Sequence, residues 1–247
     1  MRLSQAWLVA RHDLNLYRHR RTILYTLVAF PLGVAIGFPV LVRYLLSRVG
    51  PASIPSPVLV GLIDSFSFFF VIASATLPIA VASYSIVGEK IEKSLEPLLA
   101  TPTTDGEILL GKALAALVPT LAAIWASSVL YMVLMDRVTV GHLGYLFYPN
   151  AEIAVVLLAL APLACLFAVE VSILISARVA DVRTAQQIGG IVFLPFVLLY
   201  VVSEVGIVTL DTLHLLAVSG GLALVTLGLF ALSRRAFERE EILTRWK

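Results

Sequence analysis

Six long apolar runs, separated by short charged segments, constrain the fold of this chain more than any other feature of its sequence. They lie at about residues 22–46, 59–87, 113–135, 151–177, 186–203 and 213–233. A helix needs about 20 apolar residues to cross the hydrocarbon core of a bilayer, and most of the runs reach that length. Only 14% of the 247 residues are charged, which is too few to cover a soluble surface. The sequence therefore predicts an all-α membrane protein with six transmembrane helices, spanning residues 22–233.

Residues 1–21, before the first run, show an amphipathic pattern. Apolar residues recur there every three or four positions and make one stripe, which consists of Leu3, Trp7, Ala10, Leu14 and Tyr17. The basic residues lie largely off this stripe. A basic helix with Trp and Leu on its other face is typical of a helix that lies on the membrane surface. We favour this interpretation over a cytosolic extension of the first span.

The lysines and arginines are distributed very unevenly between the two sides of the membrane. If the N-terminus is cytosolic, 15 of the 18 lie inside, Lys112 among them, and only Arg43, Arg48 and Arg137 lie outside. Cytoplasmic segments carry the excess of Lys and Arg in membrane proteins. Both termini are therefore predicted to be cytosolic, with residues 234–247 forming a cytosolic tail.

The longest inside loop covers residues 88–112 and reads GEKIEKSLEPLLATPTTDGEILLGK. Ile91, Leu95, Leu98 and Leu99 are spaced to make the apolar face of a short helix. Such a helix below the membrane is suited to docking into a groove on another protein. The alternative is a solvated hairpin that joins two spans.

This loop resembles the signature of the ABC-2 family of ABC-transporter membrane subunits. That signature has an acidic residue, a Gly-Thr-Leu-Glu core, a Leu-Leu pair and a Thr-Pro, followed by Glu and Gly-Lys. The matching positions here are Glu89, Glu92, Leu95, Glu96, Leu98, Leu99, Thr101, Pro102, Glu107, Gly111 and Lys112. Lys93 and Ser94 stand where Gly-Thr is usual, and Ser94 keeps a hydroxyl that can cap a helix. Residues 176–187, SARVADVRTAQQ, resemble the cytosolic turn between the fourth and fifth spans of those permeases.

The resemblance implies a permease subunit of an ABC exporter in the plasma membrane of a prokaryote. Its partners are a separate ABC ATPase, a second copy or a sister permease, and membrane lipid, with no nucleic acid. The loop serves as the coupling helix, and ATP and Mg²⁺ bind on the ATPase. The chain itself is expected to bind no cofactor and to be no enzyme. The residues expected to contact the ATPase are Glu89, Glu92, Ser94, Glu96, Leu98, Leu99, Arg178 and Asp181.

A partial P-loop match at residues 106–112 does not change this expectation. The position after Lys112 is Ala113, so the hydroxyl that binds Mg²⁺ in a P-loop is missing. No strand is predicted before the motif, and an apolar run follows it at once. Lys112 is therefore interpreted as one of the inside basic residues that set the orientation.

Three residues are candidates for a substrate pathway: Phe69, Glu170 and Glu204. Most of the phenylalanines around Phe69 are expected to face lipid. Glu170 lies within an apolar run, where carboxylates are costly and often functional, and an ion pair with an arginine such as Arg178 is favoured over a place in the pathway. Glu204 ends the fifth run, where the resemblance places a re-entrant element.

Two alternatives remain open at the level of the sequence. A secondary transporter needs paired broken helices and ion ligands at the membrane midplane, and charges are sparse there. A scaffold subunit that transports nothing has a sequence of the same kind, so this second alternative survives better.

Overall fold

The computed structural model describes residues 3–18, 21–49, 54–83, 104–179 and 181–236, and these ranges are almost entirely helical, with no strand. Six helical segments within them are long and apolar enough to cross a membrane. The all-α architecture with six candidate spans is therefore confirmed. The spans are Leu24–Arg48, Ser56–Ser83, Gly106–Leu143, Ala151–Ser176, Val182–Glu204 and Thr212–Ser233.

Ten α-helices build the described part of the chain, and several spans contain more than one. In order they are α1 (Leu3–Arg18), α2 (Arg21–Val49), α3 (Ser56–Ser67), α4 (Phe69–Ala82), α5 (Asp105–Leu143), α6 (Ala151–Val155), α7 (Ala161–Arg178), α8 (Val182–Gly189), α9 (Leu194–Glu204) and α10 (Thr212–Ala236). A π-helical turn, Val156–Leu160, joins α6 to α7, and a 3₁₀ turn, Gly190–Phe193, joins α8 to α9.

Helix α5 begins at Asp105, well before the start at residue 113 that hydropathy predicts. The Glu107 side chain accepts a hydrogen bond from the Thr104 backbone N–H at 2.9 Å. This bond satisfies one of the amide groups that a helix start leaves unpaired. The last residues of the predicted loop, 105–112, are therefore the first two turns of the third span.

Side-chain contacts show which ends of the spans lie together. At one end, the Ser176 hydroxyl donates to the Ser83 carbonyl at 3.1 Å, which joins the ends of the second and fourth spans. At the other end, Asn150 Nδ2 donates to Asp64 Oδ1 at 2.9 Å and Tyr131 Oη donates to the Ile63 carbonyl at 3.0 Å. We call the first end, which also contains α1 and Thr104, the amino-terminal face. The second end is the opposite face.

The second span lies at the centre of the bundle and is the most buried of the six. Phe66, Phe68 and Phe70 are all buried within the chain. The expectation that most of these phenylalanines face lipid is therefore wrong. Hydropathy alone cannot distinguish a central helix from a peripheral one, because both are apolar on every side.

The π-helical turn in the fourth span is stabilised by a side chain from the third. In a π-helix each N–H pairs with the carbonyl five residues earlier, so the Leu157 carbonyl requires an N–H from residue 162. That residue is Pro162, which has none. Trp125 Nε1 donates to the Leu157 carbonyl instead, at 2.9 Å. The proline and the tryptophan together hold α5 against the fourth span.

Asp136 fixes the loop that follows α5 on the opposite face. Its Oδ1 accepts the backbone N–H groups of Phe147 and Tyr148, at 3.0 and 3.1 Å. We expect Asp136→Asn to lower the free energy of unfolding by about 1.5 kcal/mol, because hydrogen bonds to a charged acceptor are stronger than neutral ones. Unfolding by SDS in mixed micelles measures this loss. Glu204→Gln, an exposed carboxylate on the same face, is the control and should leave stability unchanged; an equal loss in both variants contradicts the assignment.

Candidate functional site

The candidate site is the junction between α1 and the start of α5, which contains the last residues of the predicted coupling loop. Gly111 makes this junction possible. A Cβ at Gly111 would lie 2.7 Å from the Ala6 carbonyl oxygen and 2.7 Å from the Val9 Cβ. Real Cβ atoms do not approach other atoms so closely, so only glycine lets the two helices meet here. The Gly-Lys pair of the family signature thus includes a helix-contact residue.

An ion pair lies beside this contact. Lys112 Nζ is 3.6 Å from Asp13 Oδ2, and the two side chains are only 1% and 4% exposed. The distance exceeds that of a hydrogen bond, and Asp13 Oδ2 accepts none from the described residues. Removing one member of a buried pair leaves an uncompensated charge. The pair therefore binds α1 to α5 electrostatically, and Lys112 does more than set the orientation of the chain.

The buried face of α1 differs from the predicted apolar stripe. The buried residues are Ala6, Val9, Ala10, Asp13 and Tyr17, whereas Trp7 is 50% exposed. The small residues of α1 therefore face α5, and the large apolar Trp7 lies beside the exposed cation Arg11. Size contributes to the difference, because the close approach at Gly111 is made by the Ala6 backbone and by Val9.

Arg178 and Asp181 lie on the same face as this junction. Arg178 ends α7 and is exposed, while Asp181 precedes α8. Asp181 Oδ1 accepts the Thr184 backbone N–H at 2.8 Å, and the Thr184 hydroxyl donates to Oδ2. These hydrogen bonds, with the side-chain bond contributing most, hold the pKa of Asp181 below its usual value. Its carboxylate therefore caps α8 while remaining exposed.

The loop candidates themselves lie outside the described residues. They are Glu89, Glu92, Ser94, Glu96, Leu98 and Leu99. The chain enters this segment after Ser83 and leaves it at Thr104, both on the amino-terminal face. The ends of the loop, the α1 junction and Arg178 therefore share one face of the bundle.

The three pathway candidates do not form one site. Phe69 is half-buried in an aromatic cluster, 4.8 Å from the Phe38 ring centroid and 5.2 Å from that of Tyr200. Glu204 is exposed at the end of α9, one turn after Tyr200, and a tight turn with Gly206 at φ 80° follows it. Both therefore lie near α9, whereas Glu170 lies on α7.

Glu170 is buried, but the expected ion pair with Arg178 does not form. Among the described residues its Oε2 has no hydrogen-bond partner, and Arg178 is exposed to solvent. The expectation of a pair with Arg178 is therefore wrong. The two residues are eight positions apart on one helix, about 12 Å along its axis, which exceeds the reach of a direct contact here.

No group of three or more His, Cys, Asp or Glu residues that could hold a metal occurs in the described ranges. The chemistry of the site is thus that of helix contacts and exposed charges on one face of a helical bundle. A bundle of this kind, with six candidate spans, defines a multi-pass membrane protein.

Comparison with known families names the group within that class. A family model described as ABC-2 family transporter protein matches residues 7–219, which is most of the chain. The chain therefore belongs to the ABC-2 family of transporter proteins. The match begins within α1 and ends within α10, so it includes the junction at Gly111. No curated protein matches the chain.

Proposed function

We propose that this chain is the permease subunit of an ABC exporter in a prokaryotic plasma membrane. A separate ATPase hydrolyses ATP and drives substrate across the interface between two permease subunits. The family match supports this proposal most strongly. In this proposal the amino-terminal face is cytosolic, because the predicted inside segments contain 15 of the 18 lysines and arginines.

The coupling loop of the proposal is residues 88–112, whose last residues begin α5, and α5 transmits its movement. Helix α5 has 39 residues, about 58 Å at the usual rise per residue, and it reaches from Thr104 to the opposite face. In this proposal α5 carries a displacement of its first turn toward its far end, past Pro119 inside the helix. Nucleotide acts by favouring one conformation of the membrane subunit through differential contacts with this loop.

Helix α1 is proposed to move with α5 while lying on the inner membrane surface. The contact at Gly111 and the ion pair of Asp13 with Lys112 join the two helices. The exposed Trp7 and Leu8 provide apolar surface, and the exposed Arg11 provides a cation. Such a surface suits the boundary between lipid headgroups and acyl chains.

A pull-down from gently solubilised membranes, with nucleotide present, tests the coupling proposal. We expect a P-loop ATPase, identified by mass spectrometry, to co-purify with the wild-type chain. Glu92→Arg/Glu96→Arg should lower its recovery at least about tenfold, because unfavourable charge pairs at an interface cost several kcal/mol. Both substitutions lie in the loop and not in the membrane spans.

The control variant is Glu238→Arg/Glu240→Arg in the tail, which makes the same change of charge on the same proposed side. It should retain the ATPase. If the wild-type chain recovers no ATPase, the coupling proposal fails. If the tail variant loses as much as the loop variant, the effect comes from net charge and not from the loop.

A further inference from the structure

A groove between α2 and α5 lies toward the opposite face of the bundle, away from the coupling site. Its volume is about 940 Å³, which is enough for a lipid headgroup and the upper part of its chains. Arg43, Arg137 and His142 line it together with apolar side chains that include Ile36, Val40 and Leu134.

The two arginines in this groove are exceptions to the charge distribution of the chain. If the N-terminus is cytosolic, only three of the 18 lysines and arginines fall on this side, and Arg43 and Arg137 are two of them. Neither arginine lies in the last turn of its helix. The last turn of α2 contains Arg48, and the last turn of α5 contains His142. The helix dipole, which acts within the last turn, therefore does not account for their positions.

The two arginines and the histidine of the groove lack partners within the described residues. Neither Arg43 nor Arg137 makes an ion pair there. His142 Nδ1 is buried and makes no hydrogen bond. Arg48, the third arginine on this side, does not line the groove, and its guanidinium stacks 5.3 Å from the Tyr44 ring centroid. The unmatched positive charge is thus concentrated in the groove.

Apolar side chains line the groove deeper than its two arginines, and Leu46 and Val140 also line it nearer the membrane surface. Helices α2 and α5 both run from the amino-terminal face to the opposite face, so residue order gives depth. Ile36 lies about 10 Å deeper than Arg43, and Leu134 about 4 Å deeper than Arg137, at the usual helical rise. A lipid whose anionic headgroup lies at the arginines therefore has apolar side chains below it, along which acyl chains can extend.

We propose that this groove binds an anionic phospholipid. The phosphate lies between Arg43 and Arg137, since guanidinium groups bind phosphate through paired hydrogen bonds. The acyl chains lie along Ile36, Val40 and Leu134. A second copy of the chain is a poorer occupant, because a two-fold interface places the same cationic patch on both partners, and like charges oppose that contact.

Native mass spectrometry of the full chain tests this site, with phosphatidylglycerol or phosphatidylcholine of identical acyl chains added to the detergent. We expect wild type to retain phosphatidylglycerol at least about tenfold more than phosphatidylcholine. Arg43→Gln/Arg137→Gln should lose this preference, and Arg48→Gln should keep it. Excess glycerol phosphate should displace little lipid, because it lacks the chains that the groove accommodates.

Three results overturn the proposal. The first is a double variant that keeps the lipid preference, and the second is glycerol phosphate that competes as well as the lipid does. The third is a double variant that loses a dimer that wild type forms, since that result assigns the groove to a second copy. If the double variant does not fold, Val40→Trp, which fills the groove without changing its charge, replaces it and must reduce retention at least about fivefold.

Discussion

Lys112→Met is expected to lower the free energy of unfolding by about 3 kcal/mol, because it leaves the Asp13 carboxylate buried without its counter-charge. The substitution keeps the length of the side chain, so it removes the charge with little change in packing. Unfolding by SDS in mixed micelles gives the difference. The control, Arg11→Met, removes an exposed cation from α1 and should leave the free energy of unfolding unchanged.

The double variant Asp13→Leu/Lys112→Met separates the charge effect from packing. Replacing both members of a buried pair by apolar residues is often neutral, so we expect the double variant to regain most of the stability that Lys112→Met loses. A double variant that is less stable than either single one shows that the pair contributes through shape and not through charge. Stimulation of the partner ATPase is expected to change in parallel with stability. It should fall in Lys112→Met and recover in the double variant.

The fold was largely predictable because the bilayer constrains it strongly. Apolar length alone places six spans, since only helices satisfy every backbone group in lipid. The start of the third span was not predictable from hydropathy. Residues 105–112 include Asp105, Glu107 and Lys112, and their polarity resembles that of a loop. The local signal for a helix there is Thr104 followed three positions later by Glu107, a capping pattern.

The candidate site was predictable only in part. The signature places Gly111 and Lys112 in the family motif, but hydropathy does not tell which residues they contact. The burial of Asp13 could have been predicted from its position. Asp13 lies three residues after Ala10 and four after Val9, on the same face of the helix. An acid at such a position needs a buried cation, and the pattern of α1 does not say where that cation lies.

The phenylalanines and Glu170 illustrate what a single sequence cannot resolve. Burial of Phe66, Phe68 and Phe70 depends on which span is central, a property of tertiary packing. Glu170 and Arg178 are on one helix, yet the first is buried and the second exposed. Spacing along a helix predicts neighbours, but not the surroundings of each face.

Gly111→Leu is expected to separate α1 from α5, because its first side-chain atom already meets the Ala6 carbonyl oxygen and Val9 within 3 Å. Backbone atoms cannot rotate away as the end of a side chain can, so the helices must move apart. Overpacking of this kind typically costs about 1–3 kcal/mol, and the loss of the adjacent ion pair adds to it. The free energy of unfolding should therefore fall by about 3 kcal/mol, as measured by SDS titration.

Limited trypsinolysis adds a local measurement, because separation of α1 exposes the backbone at Arg11 to cleavage. We expect cleavage there at least about tenfold faster than in wild type. Gly141→Leu lies on the same helix, where a Cβ meets nothing within 4 Å, and should leave this rate unchanged. If Gly111→Leu is cleaved at the wild-type rate and remains as stable as Gly141→Leu, the junction tolerates a side chain. In that case the coupling movement does not pass through the close contact of α1 with α5.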